Sequence, residues 1–298
     1  MSEKDTMDAD GIRFIDLFSG IGGFHLAFHN CGARCVFAAE WNKHARKTYE
    51  HNFKAISPDL FLDGRFVEDI TKVDPSSLPD FEVLCAGFPC QPFSQAGYKK
   101  GFTDDRGNLF FHIAEIIQEK QPAAFFLENV RHMFKHDNGR TFAVIKQTLE
   151  GLGYSFHHRM VKGTDFNVPQ HRPRVFMVGF RDRSLEYSFP EPVPLTVTMS
   201  DVLGGKCSRK VGYTLRVGGR GSNIRDRRNW DSYEVDGKVV QIGVEEGKRM
   251  MGLPASFAFP VSEVQAMKQL GNSVVVPAIQ AVAGSIVETL GRGHGGTR

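Results

Sequence analysis

Arg13 to Glu40, RFIDLFSGIGGFHLAFHNCGARCVFAAE, is the stretch that decides the fold. Arg13–Phe18 is a short apolar run of strand length, and it leads into a turn holding Gly20, Gly22 and Gly23. From Gly22 to Cys31 the apolar residues recur at helical spacing, and Ala33–Glu40 is a second apolar run that closes on an acid. Strand, glycine turn, helix and strand make one βαβ unit, and parallel strands joined in this way need helices packed on the faces of their sheet. Glycines in the first turn allow tight bending and close approach of a ligand to the backbone, and an acid at the end of the second strand suits the two hydroxyls of a ribose. The turn and the acid lie about 20 residues apart, the separation such a site needs. Together they point to a nucleoside-containing cofactor; the glycines alone would read as a sharp turn.

Outward from this unit the alternation continues. Asn42–Phe53 is helical and polar-rich, and Phe81–Ala86 and Ala123–Leu127 are further strands. Between those two strands, Leu109–Glu119 carries Leu109, Phe110, Ile113, Ile116 and Ile117 at helical spacing. Thr141–Leu152 is a helix stopped at Gly153, and Arg174–Phe180 is a strong strand. The pattern predicts an α/β domain with a mostly parallel sheet. After Arg181, Pro190, Pro192 and Pro194 punctuate a linker-like stretch, followed by a Gly/Arg-rich region with short β-like pieces at Tyr213–Val217 and Lys238–Ile242. Helical pattern returns at Val244–Met251 and over Ser262–Leu290. The expected division is a catalytic domain over 1–184 completed by 262–298, and a smaller, mostly β domain with a hinge over 185–261. The tail Gly291–Arg298 is expected to be disordered.

The 298 residues carry a net charge of +3, but unevenly. Gly205–Asp231 holds eight basic residues and two acidic ones, a local +6 that leaves the remainder at −3. A basic, glycine-rich segment on a near-neutral body fits a polyanionic partner, or else a solvated loop. No apolar run reaches bilayer length, and the polar start argues against a signal or transit peptide, so a cytoplasmic location is expected. The five cysteines are odd in number and show no C-x-x-C spacing, which argues against a disulfide framework and a zinc site. Cys31, Cys35 and Cys85 read as small buried hydrophobes.

The chemistry gathers where strands end. Cys90 lies in Gly87-Phe88-Pro89-Cys90-Gln91-Pro92, directly after a strand and stiffened by prolines on both sides. Ligands of open α/β sheets bind just beyond the carboxyl ends of strands, so this cysteine stands at a site, unless it is merely structural. Glu128 ends the next strand, and neighbouring parallel strands would bring Cys90 and Glu128 to one crevice, an arrangement for covalent catalysis. Arg172 and Arg174, in Gln170-His171-Arg172-Pro173-Arg174, fall on one side if that segment is extended and suit a phosphate or a base carbonyl, or form a basic strand lead-in. Trp41 could stack on an adenine or fill the core. Asp69 could accept from an adenine amino group or simply shape a turn.

In order along the chain, these motifs resemble those of the bacterial-type DNA (cytosine-5) methyltransferases of restriction–modification systems. Asp16–Phe24 looks like the family's cofactor loop, Glu40-Trp41 like its ribose and adenine contacts, and Asp69-Ile70 like its third motif. Gly87–Ser94, GFPCQPFS, looks like its nucleophile motif, and Arg106–Phe110 like the motif that closes its mobile catalytic loop. Glu128-Asn129-Val130 resembles the glutamate motif, Gln170-x-Arg172-x-Arg174 the arginine motif, and Gly271-Asn272-Ser273-Val274 the segment that folds back on the cofactor. The basic insert falls where the family carries its target-recognition domain, with Thr214-Leu215 similar to a pair common there. Glu68 stands where the family usually has glycine, and Gln241–Pro254 follows the ninth motif loosely, keeping Gly252-Leu253-Pro254.

The resemblance implies a Rossmann-like S-adenosylmethionine-dependent methyltransferase fold and methylation of cytosine carbon 5 in double-stranded DNA. It implies that Phe18, Ser19, Gly20, Gly22, Gly23, Glu40, Trp41, Asp69, Ile70, Gly87, Pro89, Leu109, Asn272, Ser273 and Val274 hold S-adenosylmethionine, whose product is S-adenosylhomocysteine, with no metal. Cys90 thiolate would add to cytosine carbon 6, after which carbon 5 takes the methyl group and elimination restores the ring. Glu128 would bond ring nitrogen 3 and the amino group, Arg172 would hold the carbonyl at carbon 2, and Arg174 would support the site. The cytosine must leave the duplex for this, and Phe88–Asn108 would close over it as a lid. Gln91, Ser94, Gln95, Lys99, Lys100, Arg106 and Gln170 would contact DNA near the target. Arg216, Arg220, Arg225, Arg227 and Arg228 would contact bases or phosphates from the insert. The protein is expected to be a monomer, with a possible restriction endonuclease acting at the same site. A tRNA cytosine-5 methyltransferase and a DNA-binding regulator on an inactive scaffold are the alternatives. The recognition-sized basic insert argues against the first, and the full set of catalytic residues argues against the second.

Overall fold

A computed structural model describes residues 11–62, 64–89 and 109–295. Seven strands form one sheet in the order β3-β2-β1-β4-β5-β7-β6. They are β1 (Arg13–Leu17), β2 (Arg34–Ala39), β3 (Phe66–Val67), β4 (Val83–Gly87), β5 (Ala124–Val130), β6 (His157–Val161) and β7 (Arg174–Phe180). All pairings are parallel except those of β7, which runs antiparallel to both β5 and β6. The expected mostly parallel α/β sheet is therefore present, with one reversed strand that periodicity cannot reveal.

Side chains alternate along each strand and so feed two separate cores. Phe14, Val83, Cys85, Phe126, Phe176 and Val178 pack on one face with α1 (Gly23–Asn30) and the last helix, α8 (Val276–Gly295). Ile15, Leu17, Leu84, Phe125, Leu127 and Met177 pack on the other with α3 (Leu109–Lys120) and α4 (Arg140–Gly151). Helix α2 (Lys43–Phe53) starts at Asn42, whose side-chain oxygen accepts from the backbone N–H groups of His44 and Ala45 at 3.0 and 3.1 Å.

Beyond β7 the chain builds a small unit with a short helix, α5 (Met199–Leu203), and a two-stranded antiparallel sheet, β8 (Ser232–Val235) and β9 (Lys238–Gln241). Its remainder is turns and irregular chain tied in by isolated bridges, among them Gln170 to Gly212 and Cys207 to Val235. Tyr213–Val217, expected as a β piece, is not a strand; Leu215 N–H and carbonyl bond to the side chains of Gln170 and Arg172, and Tyr213 N–H to the Tyr233 hydroxyl, instead of to a ladder. Helices α6 (Val244–Met251) and α7 (Glu263–Asn272) lead back to α8. The long helical stretch expected over Ser262–Leu290 is thus two helices, and the second continues through residues expected to be disordered, as far as Gly295. β6, HHRMV, carried no strand signal because it is a half-exposed edge strand of mixed polarity. No single helix among the described residues is long and apolar enough to cross a membrane.

Candidate active site

The first turn solves three spatial problems with three glycines. Gly20 has φ +56° and nothing within 4 Å of where a Cβ would stand, so it leaves the loop open to a ligand. Gly22 has φ +88°, and a Cβ there would lie 2.2 Å from the Phe53 ring. A Cβ on Gly23 would lie 2.5 Å from Val274 Cγ2, so this glycine admits the C-terminal segment rather than the ligand. Phe18 also adopts a left-handed conformation, φ 55°, at the end of β1.

Glu40 is buried at the end of β2. Its Oε2 accepts from Gly20 N–H and its Oε1 from Asn42 N–H, both at 2.8 Å, so the carboxylate ties the glycine loop to the second strand. Burial raises its pKa, and these two backbone donors and Arg46 offset part of that rise. Each oxygen keeps a lone pair for a ribose hydroxyl. Trp41 is 81% exposed, which rules out the core reading and leaves its ring face free for stacking. Ser19 Oγ is buried without a hydrogen-bond partner among the described residues, an unused donor in the loop. Asp69 accepts from the Thr71 N–H and hydroxyl at 3.1 and 2.7 Å, which with Lys72 holds its pKa down and its charge in place. Ile70 beside it is buried, and Leu109 opens α3. Ser273 and Val274 are buried between α7 and α8, with Asn272 exposed at the end of α7. An open glycine loop, a paired acid, a free indole and an unspent hydroxyl fit a nucleoside-bearing cofactor such as S-adenosylmethionine.

The chemical end lies at the carboxyl edge of β4 and β5. Gly87 pairs with Glu128 in the parallel register, and Cys90 follows Gly87 by three residues. Asn129, to which motif spacing alone assigns no task, donates from its side-chain amide to Phe88 O at 2.7 Å and so fixes the exit of β4. Cys90, Gln91, Ser94, Gln95, Lys99, Lys100 and Arg106 lie outside the described residues, as does most of the expected lid. Alternation puts Glu128 on the face of Phe126, and Arg174 on the face of Phe176, which are the same face. Arg174 Nε approaches Glu128 Oε1 to 2.8 Å as an ion pair. Burial raises the Glu128 pKa, and Arg174 and then Arg172 pull it back.

Arg172 is not arranged as expected. Its φ of 27° breaks the extended segment, so strand alternation does not set its direction, yet it still lines one crevice with Glu128 and Arg174. Its buried guanidinium donates to Leu215 O at 3.2 Å, Gly271 O at 2.9 Å and Ser273 O. Burial first, and Arg174 next, push its pKa down to about 9, so it stays charged at neutral pH. It is a hub joining the small unit, the end of α7 and the cofactor segment, and Arg174 is the arginine that faces Glu128.

Gln170 is likewise spent internally. Fully buried, it donates to Met250 O at 2.6 Å and accepts from Leu215 N–H at 2.9 Å, which leaves it no surface to offer DNA. Arg172 N–H donates to Thr214 Oγ1 at 3.2 Å, so Thr214-Leu215 is strapped to the arginine motif from both sides. Among the basic residues of the insert, Arg220 is also committed. It pairs with Glu263 at 2.9 Å, donates to Ile242 O at 2.6 Å and lies 3.7 Å from buried Asp231. Arg228 pairs with Asp226 at 2.7 Å on the surface. Arg216, Arg225 and Arg227 are exposed.

The model of the C-5 cytosine-specific DNA methylase family matches residues 12–216 and 206–288. The chain belongs to this family. It is 38% identical to the Type II methyltransferase M.HhaI of Haemophilus parahaemolyticus over 97% of its own length and 98% of the relative's. It is 41% identical to M.SsoII of Shigella sonnei over 93% and 80%. Among solved structures, a prophage-encoded DNA modification methyltransferase of E. coli superposes with a TM-score of 0.71 at 21% identity, over 94% of this chain and all of that one. The S. pombe Dnmt2 methyltransferase gives 0.68 at 20% identity, over 94% and 99%. These two likenesses show the Rossmann-like methyltransferase fold. The family activity, S-adenosylmethionine-dependent methylation of cytosine carbon 5 in DNA, is the activity of this enzyme.

Proposed function

We propose that the enzyme flips one cytosine out of a short specific duplex site and methylates it through a transient bond from Cys90. The observation that carries this reading is the pairing of Gly87 with Glu128, which puts a buried carboxyl beside the strand residue three before Cys90. S-adenosylmethionine, which Phe18, Ser19, Gly20, Gly22, Glu40, Trp41, Asp69, Ile70, Gly87, Pro89, Leu109, Asn272, Ser273 and Val274 would hold, supplies an electrophilic methyl group. Cys90 thiolate adds to carbon 6, which makes carbon 5 nucleophilic; carbon 5 takes the methyl group as S-adenosylhomocysteine leaves, and loss of the carbon 5 proton then expels the thiolate. Glu128, whose burial favours the protonated form, donates to ring nitrogen 3 and accepts from the amino group, so charge developing on the ring is met by a preorganised partner. Arg174, on the same face, holds the carbonyl at carbon 2. Arg172 is a positioning residue for the segments around them.

The ring atoms cannot be reached inside a duplex, which is why flipping is part of the proposal. Residues 1–184 with 262–298 form the catalytic part and 185–261 the recognition part, joined by the Gln170 and Arg172 straps. The relatives' designation as Type II methyltransferases supports a role in a restriction–modification system, with an endonuclease acting at the same site. Bisulfite sequencing of DNA from cells expressing the enzyme should show converted-resistant cytosines at one short motif, absent with Cys90→Ser. Resistance that persists in the Cys90→Ser cells, or none with the unaltered enzyme, would refute the proposal.

A further inference from the structure

We propose that Arg216 reads a guanine of the methylation site, while Arg225 and Arg227 bind phosphates. This rests on the DNA-methylating function above and assigns its specificity to one residue. An arginine fork discriminates guanine only if both of its hydrogen bonds fall in fixed geometry, so the backbone beneath it must not move. A phosphate contact has no such requirement.

The backbone around Arg216 is held on both sides. Leu215 just before it is gripped through its N–H by Gln170 at 2.9 Å and through its carbonyl by Arg172 at 3.2 Å. On its other side a Cβ on Gly271 would lie 2.5 Å from the Arg216 carbonyl carbon, so the two chains are in close contact. Further on, Trp230 Nε1 donates to Gly218 O at 3.0 Å, and Asp231 accepts from Gly221 N–H at 2.9 Å. Arg220 itself is anchored on Glu263 and Ile242. Between these clamps Arg216, Val217, Gly218 and Gly219 are exposed, and the two glycines present bare backbone that can approach a groove closely. No side chain among the described residues holds the Arg216 guanidinium. The same Arg172 that grips Leu215 lines one crevice with Glu128 and Arg174, so the residue before Arg216 is bonded directly to a residue of that crevice.

Arg225 and Arg227 stand differently. They lie on successive turns held by local bonds, Arg225 N–H to Asn223 Oδ1 at 2.9 Å and Asn229 N–H to Asp226 O at 2.9 Å. Both side chains are exposed, and neither guanidinium has a hydrogen bond or ion pair among the described residues.

The test is methylation of a duplex library randomised around the target cytosine, read by bisulfite sequencing, with binding measured across a salt series. Arg216→Ala and Arg216→Lys should both lose preference for one guanine, by about tenfold or more, because lysine keeps the charge but not the fork. The double variant Arg225→Ala/Arg227→Ala should keep the preference, weaken all sequences alike and lower the salt slope by about two. If Arg216→Lys restores the original preferences, or Arg216→Ala weakens every sequence equally, Arg216 is a phosphate contact and the assignment is wrong. If the unaltered enzyme methylates no duplex, the function itself fails, and this inference falls with it.

Discussion

Glu128 is buried and paired with the partly exposed Arg174, and the balance between burial and that partner governs the proposed chemistry. Burial raises the Glu128 pKa, so its protonated form persists to higher pH than for an ordinary carboxyl. A group that must donate a proton loses that ability as pH rises through its pKa. Turnover at saturating substrates should therefore fall on the alkaline side of that raised value. Glu128→Gln should turn over about 10²-fold more slowly, flatten that limb and leave cofactor affinity within about twofold. A large loss of cofactor affinity with turnover intact would place Glu128 elsewhere in the mechanism. The two arginines should separate cleanly. Arg172→Leu strands the carbonyls of Leu215, Gly271 and Ser273, and at about 1 kcal/mol or more for each buried orphan the native state should lose about 3 kcal/mol in urea denaturation. Arg174→Lys should fold normally and lose turnover, because an ammonium cannot reproduce the planar guanidinium contact. Equal stability losses in both variants would erase the distinction drawn between them.

At the scale of elements, the glycine loop, β4 and β5 together build the site, and the loop's three glycines should fail in different ways. Gly23→Ala drives a methyl into Val274 and should cost about 1–3 kcal/mol of stability, partly recovered by Val274→Ala. Gly20→Ala meets no neighbour and pays only the left-handed backbone cost of about 1 kcal/mol, but should weaken cofactor binding, measured by calorimetry. The reverse pattern, with Gly20 structural and Gly23 indifferent, would overturn this reading of the loop. The βαβ start and the placement of Glu128 opposite the exit of β4 were legible in sequence, because apolar runs and parallel neighbours are local or nearly local signals. Strand β6 was not, because an edge strand with His157, His158 and Arg159 has no apolar run. The roles of Arg172 and Gln170 were hidden for another reason. A positive φ and hydrogen bonds to chain 40 to 100 residues away leave no trace in spacing.

Over the whole molecule, one buried histidine sets part of the acid response. His25 is packed against Phe53 and hydrogen-bonded to Tyr49 at 2.7 Å and Ser57 at 3.0 Å. Burial, then the nearby His29, lower its pKa from 6.5 to about 3. Between those values the unfolded chain takes up a proton that the folded chain refuses, so the native state loses stability as pH falls from about 6.5 toward 3, by about 1.4 kcal/mol per pH unit from this group. Asp16 acts in the opposite sense, since burial raises its pKa well above the usual carboxylate value. The stability difference between the unaltered enzyme and His25→Gln should thus shrink on going from pH 7 to pH 5; a constant difference would mean that His25 titrates normally.

The molecule is built to bring one sulfur to one ring carbon, and that bond can be trapped. With fluorine in place of hydrogen on carbon 5 of the target cytosine, the final elimination has no proton to remove, so methyl transfer leaves the base joined to the protein. Mass spectrometry of digests from such a duplex, incubated with enzyme and S-adenosylmethionine, should find the modified nucleotide on the peptide containing Cys90. A preparation that methylates the ordinary duplex yet yields no such adduct, or yields it on another residue, would show that Cys90 does not attack the ring.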